Sequence, residues 1–360
     1  MNFHMINMIE KVKKFQVDDK NLMYCDKDLN IFLNRKKVAE NNESYFCSNE
    51  FKGYHVDNRT YFINDLGEVV SQIDVIFYPQ NYINNSFTTS KHYFKNSKGK
   101  WESDLFLFQL NPLKEVKKYH FNIEGTVFRF NEGFLQINKD RVAFLENTTA
   151  QLLWQFDLGN LGEFVNDFGE KFPYEVEKFI GVVGKSLLVL LKQKEILVFD
   201  VDSGIVTQRM KTIDCFLGET TIDAASPDIL PFYITKYFVQ IERGVIYAFF
   251  IDVLYVISRE KQSFRTNVIG LKSELEKHGI KPNQVSRNTF YFDDRIYFLE
   301  QELGRFVILN VESKTIEYVS EVIEINGEGV GFDKLKEIQA TADKVYVLDK
   351  TNTLHIFQKE

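Results

Sequence analysis

Two short stretches contain residue types that could bind a nucleotide or a cation. The first, Gly181–Ser186, reads GVVGKS and includes the Gly-Lys-Ser of phosphate-binding loops. Such a loop also requires a glycine five residues before Gly184, where this chain has Phe179. It further requires a helix after the lysine, where this chain has the apolar run Leu187–Leu191. We therefore interpret GVVGKS as a turn that leads into a strand.

The second stretch, Asp200–Gly204, reads DVDSG and has carboxylates at alternate positions, as calcium-binding loops do. It lacks the third ligand and the distal glutamate of such a loop, so we interpret it as a hairpin turn. The six histidines show no HxH, HxxxH or HExxH spacing, and the three cysteines include no CxxC. We therefore predict no catalytic motif, no local metal site, no cofactor and no disulfide framework.

Short strand patterns bounded by Asn, Asp and Gly occupy most of the chain. The clearest copy has three strands in a row, at Leu187–Leu191, Ile196–Asp200 and Ile205–Met210. Aromatic residues make up 15% of the chain and prolines number only six, which suits many packed strands. Similar copies follow at 245–268 and 295–319, and the last copy, 344–357, stops after two strands.

The repeat length can be measured on the first strand of each clear copy. The steps are 53, 59, 50 and 49 residues, read at Leu135, Leu188, Tyr247, Tyr297 and Tyr346. A regular period with several strands per unit is typical of propeller blades. Met23 and Leu135 are 112 positions apart, which leaves room for about two more steps and predicts seven blades. The extra short hairpins in that region would instead make eight.

The stretches Glu195–Gln208 (EILVFDVDSGIVTQ) and Arg305–Val319 (RFVILNVESKTIEYV) show the repeated unit best. They resemble the repeats of the pyrroloquinoline-quinone-like and WD40-like β-propeller superfamily. The resemblance implies an all-β fold, a single β-propeller domain over residues 1–360, and four-stranded antiparallel blades, but no activity. Because the last copy lacks a strand, we expect an N-terminal strand, Lys11–Val17, to complete it and close the ring. A short helical insertion is expected near 271–278, with Gly279 as its C-terminal cap.

The overall composition narrows the class of protein. The net charge of −7 argues against nucleic acid as a ligand, because phosphate binding needs a concentrated basic surface. The longest apolar run, Val245–Ile257, is interrupted by Asp252 and is shorter than the roughly 20 residues of a membrane-spanning helix. The first residues contain no apolar segment typical of a secretory signal. We therefore expect a cytoplasmic protein without membrane contact.

Acidic residues are concentrated in three long connections between copies, Asp157–Lys178, Lys211–Leu230 and Glu321–Glu337. Together they hold fifteen acidic and five basic residues, whereas Lys91–His120 is a basic region. In a propeller such connections emerge on one face, which we expect to be strongly negative. Aromatic residues inside an acidic rim are typical of an interface that attracts a charged partner, although solvated loops are also often acidic. The predicted partner-binding residues are Glu163, Phe164, Asp167, Phe168, Glu170, Phe172, Phe216, Glu219, Asp223 and Asp228.

Three functional hypotheses follow. The first is a non-enzymatic binding protein, monomeric when free, whose acidic face docks a basic protein partner, as an inhibitor or immunity protein of a toxin would. The second is an enzyme, such as a lyase, hydrolase or dehydrogenase, whose ionisable groups converge at the mouth of the central channel. The third is a scaffold subunit of a larger complex, which would use the basic region and the acidic face for two different partners.

Overall fold

The structure is a computed structural model. It describes residues 1–40, 42, 44–78, 82–83, 86–95, 101–110, 113–119, 125–130, 133–147, 149–166, 168–193, 195–213, 229–231, 236–240, 243–260, 263–325 and 334–360. In these residues eight sheets, each built on four antiparallel strands, follow one another along the chain as the blades of a β-propeller. Within the part of the chain described, no helix is long and apolar enough to cross a membrane.

The first four blades use strands of two to ten residues. Blade 1 contains β2 (Val12–Val17), β3 (Leu22–Asp26), β4 (Ile31–Leu33) and β5 (Lys36–Ala39). Blade 2 contains β6 (Tyr45–Cys47), β7 (Lys52–Val56), β8 (Arg59–Ile63) and β9 (Val69–Ile73). Blade 3 contains β10 (Tyr82–Ile83), β11 (Ser86–Lys95), β12 (Trp101–Gln109) and β13 (Lys114–Tyr119). Blade 4 contains β14 (Thr126–Arg129), β15 (Gly133–Ile137), β16 (Arg141–Glu146) and β17 (Leu152–Asp157).

The remaining blades follow a separate hairpin of β18 (Glu163–Val165) and β19 (Lys171–Pro173). Blade 5 contains β20 (Val176–Val183), β21 (Ser186–Leu191), β22 (Ile196–Asp200) and β23 (Val206–Ile213), with the short parallel strand β24 (Ile229–Pro231) beside β23. Blade 6 contains β25 (Tyr237–Gln240), β26 (Val245–Phe250), β27 (Val253–Glu260) and β28 (Ser263–Gly270). Blade 7 contains β29 (Val285–Phe292), β30 (Arg295–Glu300), β31 (Arg305–Asn310) and β32 (Thr315–Val319). Blade 8 contains β33 (Leu335–Ala340), β34 (Lys344–Asp349), β35 (Leu354–Lys359) and β1 (Phe3–Ile9).

The blades are held together by apolar clusters between neighbours. The middle strands are apolar on both faces because each face packs against another blade; in β21, for example, every residue is buried. One cluster joins blade 8 to blade 1 through residues such as Leu348 and Phe15. Clusters of this kind lie between all eight neighbouring pairs of blades, so the ring is closed.

The prediction of seven blades was wrong, and the alternative of eight is the one found. The repeat length was measured on the long C-terminal copies, but blades 1 and 2 are shorter, with strands of three to six residues and one two-residue turn in each. At Asp57 and Asn58 both φ angles are positive, 48° and 62°, as the tightest hairpin turns require. The polar stretch 78–100 contains β10 and β11 of blade 3.

An N-terminal strand does complete the last blade, but it is β1 and not Lys11–Val17. β1 pairs with β35 in antiparallel register, from Phe3 opposite Lys359 to Ile9 opposite Leu354. The ring of Phe3 packs against Tyr318 of blade 7, with centroids 5.1 Å apart. A turn at Lys11, whose φ is 62°, separates this strand from β2, which is the first strand of blade 1.

The order of strands divides the loops between two faces. Because successive strands are antiparallel, the turns after the first and third strands of each blade lie on one face, here called the turn face. The turns after the second strand lie on the opposite face together with the connections between blades, here called the connector face. Helix α1 (Lys272–Lys277) lies within the connection between blades 6 and 7, inside the range 271–278 predicted for a helical insertion.

Candidate functional site on the connector face

The β18–β19 hairpin lies in the connection between blades 4 and 5. Its turn is fixed by Asn166, whose Oδ1 accepts hydrogen bonds from the N–H groups of Phe168 (3.0 Å) and Glu170 (2.9 Å). The Asn166 amide in turn donates to the Glu170 carboxylate at 2.8 Å. Gly169 supplies the positive φ of 78° that the turn needs. This ordered turn holds the side chain of Phe168 in solvent, 90% exposed.

The other predicted phenylalanines differ in their positions. Phe172 is exposed on β19, and Val165 on β18 is exposed as well. Phe164 is half-buried and packs edge-on against Tyr174, with ring centroids 6.1 Å apart, so it anchors the hairpin to the core between blades 4 and 5. Phe216 lies outside the described residues, as do Asp167, Glu219, Asp223 and Asp228.

A turn with the same hydrogen bonds lies on the turn face and shows which residues this kind of turn needs. Residues 64–68 read NDLGE and residues 166–170 read NDFGE. Asn64 makes the same hydrogen bonds to the N–H groups of Leu66 and Glu68 and to the Glu68 carboxylate, each at 3.0 Å. Leu66 is also exposed, at 65%. The turn therefore forms with either apolar residue, and the aromatic ring of Phe168 has no part in forming it.

Lysines neutralise part of the acidic charge near the hairpin. Glu163 pairs with Lys171 across the two strands at 3.3 Å, and both side chains are exposed. Glu175, just before blade 5, pairs with Lys192 at 2.6 Å and also contacts Lys139. Hydrogen bonds from Lys139 and Lys192 hold the pKa of Glu175 below its usual range. Both lysines belong to second-strand turns, which share the connector face and were not counted in the sequence prediction.

A second patch of exposed apolar and acidic side chains lies on the connector face beside blade 7. Val322 is exposed between Glu321 and Glu324 in the connection to blade 8, and Leu303 is exposed in a neighbouring turn. The two segments are joined by a hydrogen bond from the N–H of Ile323 to the carbonyl of Gly304 (2.9 Å). The sequence prediction placed acidic residues here but did not identify these apolar side chains.

A cavity of about 240 Å³ opens on the same face, next to Glu324. It contains a buried pair, in which His355 Nε2 and Asp349 Oδ2 are 2.9 Å apart. Sequence analysis missed this site because no local spacing indicates it. Its members come from three separate parts of the chain, and they are Met8, Glu10, Lys11, Glu324, Asp349, Thr351, Thr353 and His355.

The two motifs that could have bound a nucleotide or calcium are turns, as interpreted. Gly184 and Lys185 join β20 to β21 on the turn face. Asp200 Oδ1 accepts hydrogen bonds from the N–H (2.9 Å) and hydroxyl (2.7 Å) of Ser203, and Asp202 pairs with Lys185. In the described part of the chain, no group of three or more His, Cys, Asp or Glu side chains is arranged to hold a metal ion.

Ionisable groups also lie on the first strands of blades or just before these strands. The first strands surround the propeller axis. Lys236 donates to the carbonyl of Thr289 at 2.8 Å, and burial lowers its pKa. Glu337 accepts a hydrogen bond from Gln339 at 2.8 Å, and burial raises its pKa. Lys236 and Glu337 interact electrostatically, but this pair by itself does not define a reaction, so an enzyme at the channel mouth stays a prediction.

Comparison with known proteins establishes the fold. No protein-family model matches the sequence, and no curated protein matches it. Among solved structures, Sqt1 from Saccharomyces cerevisiae superposes with a TM-score of 0.55 and 10% identity over 99% of each chain. BamB from Moraxella catarrhalis gives 0.50 and 10% identity over 100% of this chain and 98% of that chain. The WD40 domain of SCAP from fission yeast gives 0.51 and 7% identity over 99% and 98%. The chain therefore has the β-propeller fold, as predicted, and its similarity to these structures is one of fold.

Proposed function

We propose that this propeller is a protein-binding module whose connector face docks a basic protein partner. The observation that supports this most is the exposed ring of Phe168, held on an ordered turn that does not need it. Burying a phenylalanine side chain is worth about 1.5–3 kcal/mol, which is the size of a binding hot spot. Phe172 and Val165 extend the apolar surface of the same hairpin.

The acidic connections support a positively charged partner. Glu163, Glu321 and Glu324 are exposed on the connector face, close to its two apolar patches. Negative charge around an apolar centre attracts a positively charged partner and orients it during encounter. We propose a complex in which this chain, a monomer when free, is the inhibitor or immunity protein of a basic toxin.

The proposal can be tested by capture from the source cell with the tagged protein. We expect one basic protein to be captured by the wild type and lost with Phe168→Ser, with an affinity loss of roughly 10- to 100-fold for a hot-spot phenylalanine. Leu66→Ser is the matched control, because it removes an exposed apolar side chain from the identical turn on the turn face.

Charge reversal tests the electrostatic part of the proposal. Glu163→Lys combined with Glu321→Lys should slow association, and added salt should weaken binding of the wild type. Equal capture by the wild type, Phe168→Ser and the double charge variant would overturn the proposal. Capture of an acidic protein would overturn it as well.

A further inference from the structure

The cavity beside Glu324 is formed where three segments meet on the connector face. Glu10 and Lys11 belong to the connection between β1 and β2, and Glu324 belongs to the connection between blades 7 and 8. Thr351 and Thr353 come from the turn after the second strand of blade 8. At about 240 Å³ the cavity is smaller than the roughly 300–1,000 Å³ of pockets for drug-sized ligands, so it suits one side chain.

The buried floor of the cavity presents a hydrogen-bond acceptor. Burial alone would raise the pKa of Asp349, but hydrogen bonds from His355, the Thr353 N–H and the Thr351 hydroxyl hold it below its usual range. Its carboxylate is therefore ionised at neutral pH and can only accept, so Nε2 of His355 must carry the proton between them. In the neutral imidazole the other nitrogen, Nδ1, is then an acceptor.

Within the described part of the chain, that acceptor is unused. His355 is only 2% exposed, and its Nδ1 has no hydrogen-bond partner among the described residues. A buried polar atom without a partner costs about 1–3 kcal/mol, so a group that donates a hydrogen bond to it would be favoured there. His355 lines the cavity, and because Nδ1 itself has almost no accessible surface, a donor in the cavity would reach it after a small movement of the ring.

The remaining polar groups of the cavity also favour a donor with positive charge. The carboxylates of Glu10 and Glu324 can only accept, and the hydroxyls of Thr351 and Thr353 can accept as well. Met8 provides an apolar wall for an aliphatic stem. Lys11 is the one lysine or arginine among the described residues that line the cavity, and it opposes such a ligand.

We propose that this cavity binds a basic side chain, arginine or lysine, presented by the protein partner. The identity of the partner residue rests on the proposed function of the connector face, but the chemistry of the cavity can be tested without any partner. The positive head group donates to His355 Nδ1 and the threonine hydroxyls and is neutralised by Glu10 and Glu324, while its stem lies along Met8.

The experiment is an NMR titration of the full chain with N-acetyl-arginine methylamide and N-acetyl-lysine methylamide. The uncharged isostere N-acetyl-citrulline methylamide is the control ligand. We expect shifts of the Thr351, Thr353 and His355 resonances with at least one cationic probe and roughly 3- to 30-fold weaker binding after Glu10→Gln with Glu324→Gln, since each exposed pair contributes modestly. Lys11→Gln should strengthen binding, because it removes the opposing charge.

Glu50→Gln is the control variant, since Glu50 is exposed in the first turn of blade 2 on the turn face and the substitution removes one carboxylate charge, as each of the two cavity substitutions does. It should leave binding unchanged. Equal binding of citrulline and the cationic probes, or binding that is as tight after the Glu10 and Glu324 changes as before, would overturn the proposal, as would the absence of binding by both cationic probes. If the cationic probes bind but Phe168→Ser has no effect on partner capture, the cavity proposal holds and the proposed function is wrong.

Discussion

Replacement of Gly204 by alanine should destabilise the protein more than the backbone conformation alone explains. Gly204 ends the turn after the third strand of blade 5, with φ at 70° and its N–H bonded to the Asp200 carbonyl at 2.8 Å. A Cβ there would lie 2.4 Å from Cδ2 of Trp154. The indole cannot easily move, because it stacks between Phe144 and Phe199 at 5.7 and 5.8 Å and donates to the Val201 carbonyl at 2.6 Å.

Two costs add in the Gly204→Ala variant. A side chain in the left-handed region costs about 1–2 kcal/mol, and forcing a methyl group against a packed ring costs about 1–3 kcal/mol. We therefore expect a loss of about 2–5 kcal/mol in the free energy of unfolding. Gly279→Ala is the matched control, because Gly279 has φ at 66° but no atom within 4 Å of the added Cβ. It should lose only about 1–2 kcal/mol.

The assay is urea unfolding followed by far-ultraviolet circular dichroism and by tryptophan fluorescence. The difference between the two variants measures the contact with Trp154, since both share the cost of the backbone conformation. If Gly204→Ala and Gly279→Ala lower the unfolding free energy equally, the indole moves aside at little cost. The account of a rigid stack between blades 4 and 5 would then be wrong.

Two further predictions concern the joints between blades. Asp18 and Lys52 form a buried pair at 3.2 Å between blades 1 and 2, and Lys52 also pairs with Asp65 at 2.7 Å, so Asp18→Asn should cost about 1–3 kcal/mol at neutral pH. Burial raises the pKa of Asp18, but hydrogen bonds from the Lys20 and Asn21 N–H groups, the Asn21 amide and Lys52 bring it below its usual range. The contribution of Asp18 to the free energy of unfolding is therefore complete above the unfolded pKa of about 3.9 and is lost as pH falls through the lower folded pKa. Urea unfolding at several pH values should show a weaker pH dependence in the variant. Deletion of residues 1–9 leaves blade 8 with three strands and a free edge on β35, so we expect a lower thermal midpoint and concentration-dependent association in size-exclusion chromatography. A monomer as stable as the full chain would contradict the role of β1.

Much of the architecture could be predicted because its determinants are local. The middle strands of blades 5 to 8 have largely apolar runs and are bounded by turns with Asp, Asn and Gly, so their pattern is recognised within a few residues. The predicted number of blades was wrong because the N-terminal copies are weak: β11, the second strand of blade 3, is rich in Thr, Ser and Lys, and the chain before it is polar and Asn-rich. The burial of β11 at Phe87, Thr88 and Thr89 comes from neighbouring sheets and not from the strand's own sequence.

The candidate site was predicted in part for the same reason. The exposure of Phe168 follows from its place in a turn whose Asn, Gly and Glu are visible in the sequence. The inward position of Phe164 does not, because it depends on Tyr174 and on the cluster between two blades. Asp167 and the predicted residues of the connection after blade 5, from Phe216 to Asp228, remain predictions, since they lie outside the described residues.

A β-propeller with acidic connections could be predicted from short segments of the sequence, because alternation, turn chemistry and charge are local properties. The tertiary structure sets the number of blades and the strand that closes the ring. It also decided which side chains line the cavity, since Glu10, Glu324 and His355 are far apart in the chain. They meet because closure brings the first and last strands into one blade, and this pairing depends on contacts that no short segment contains.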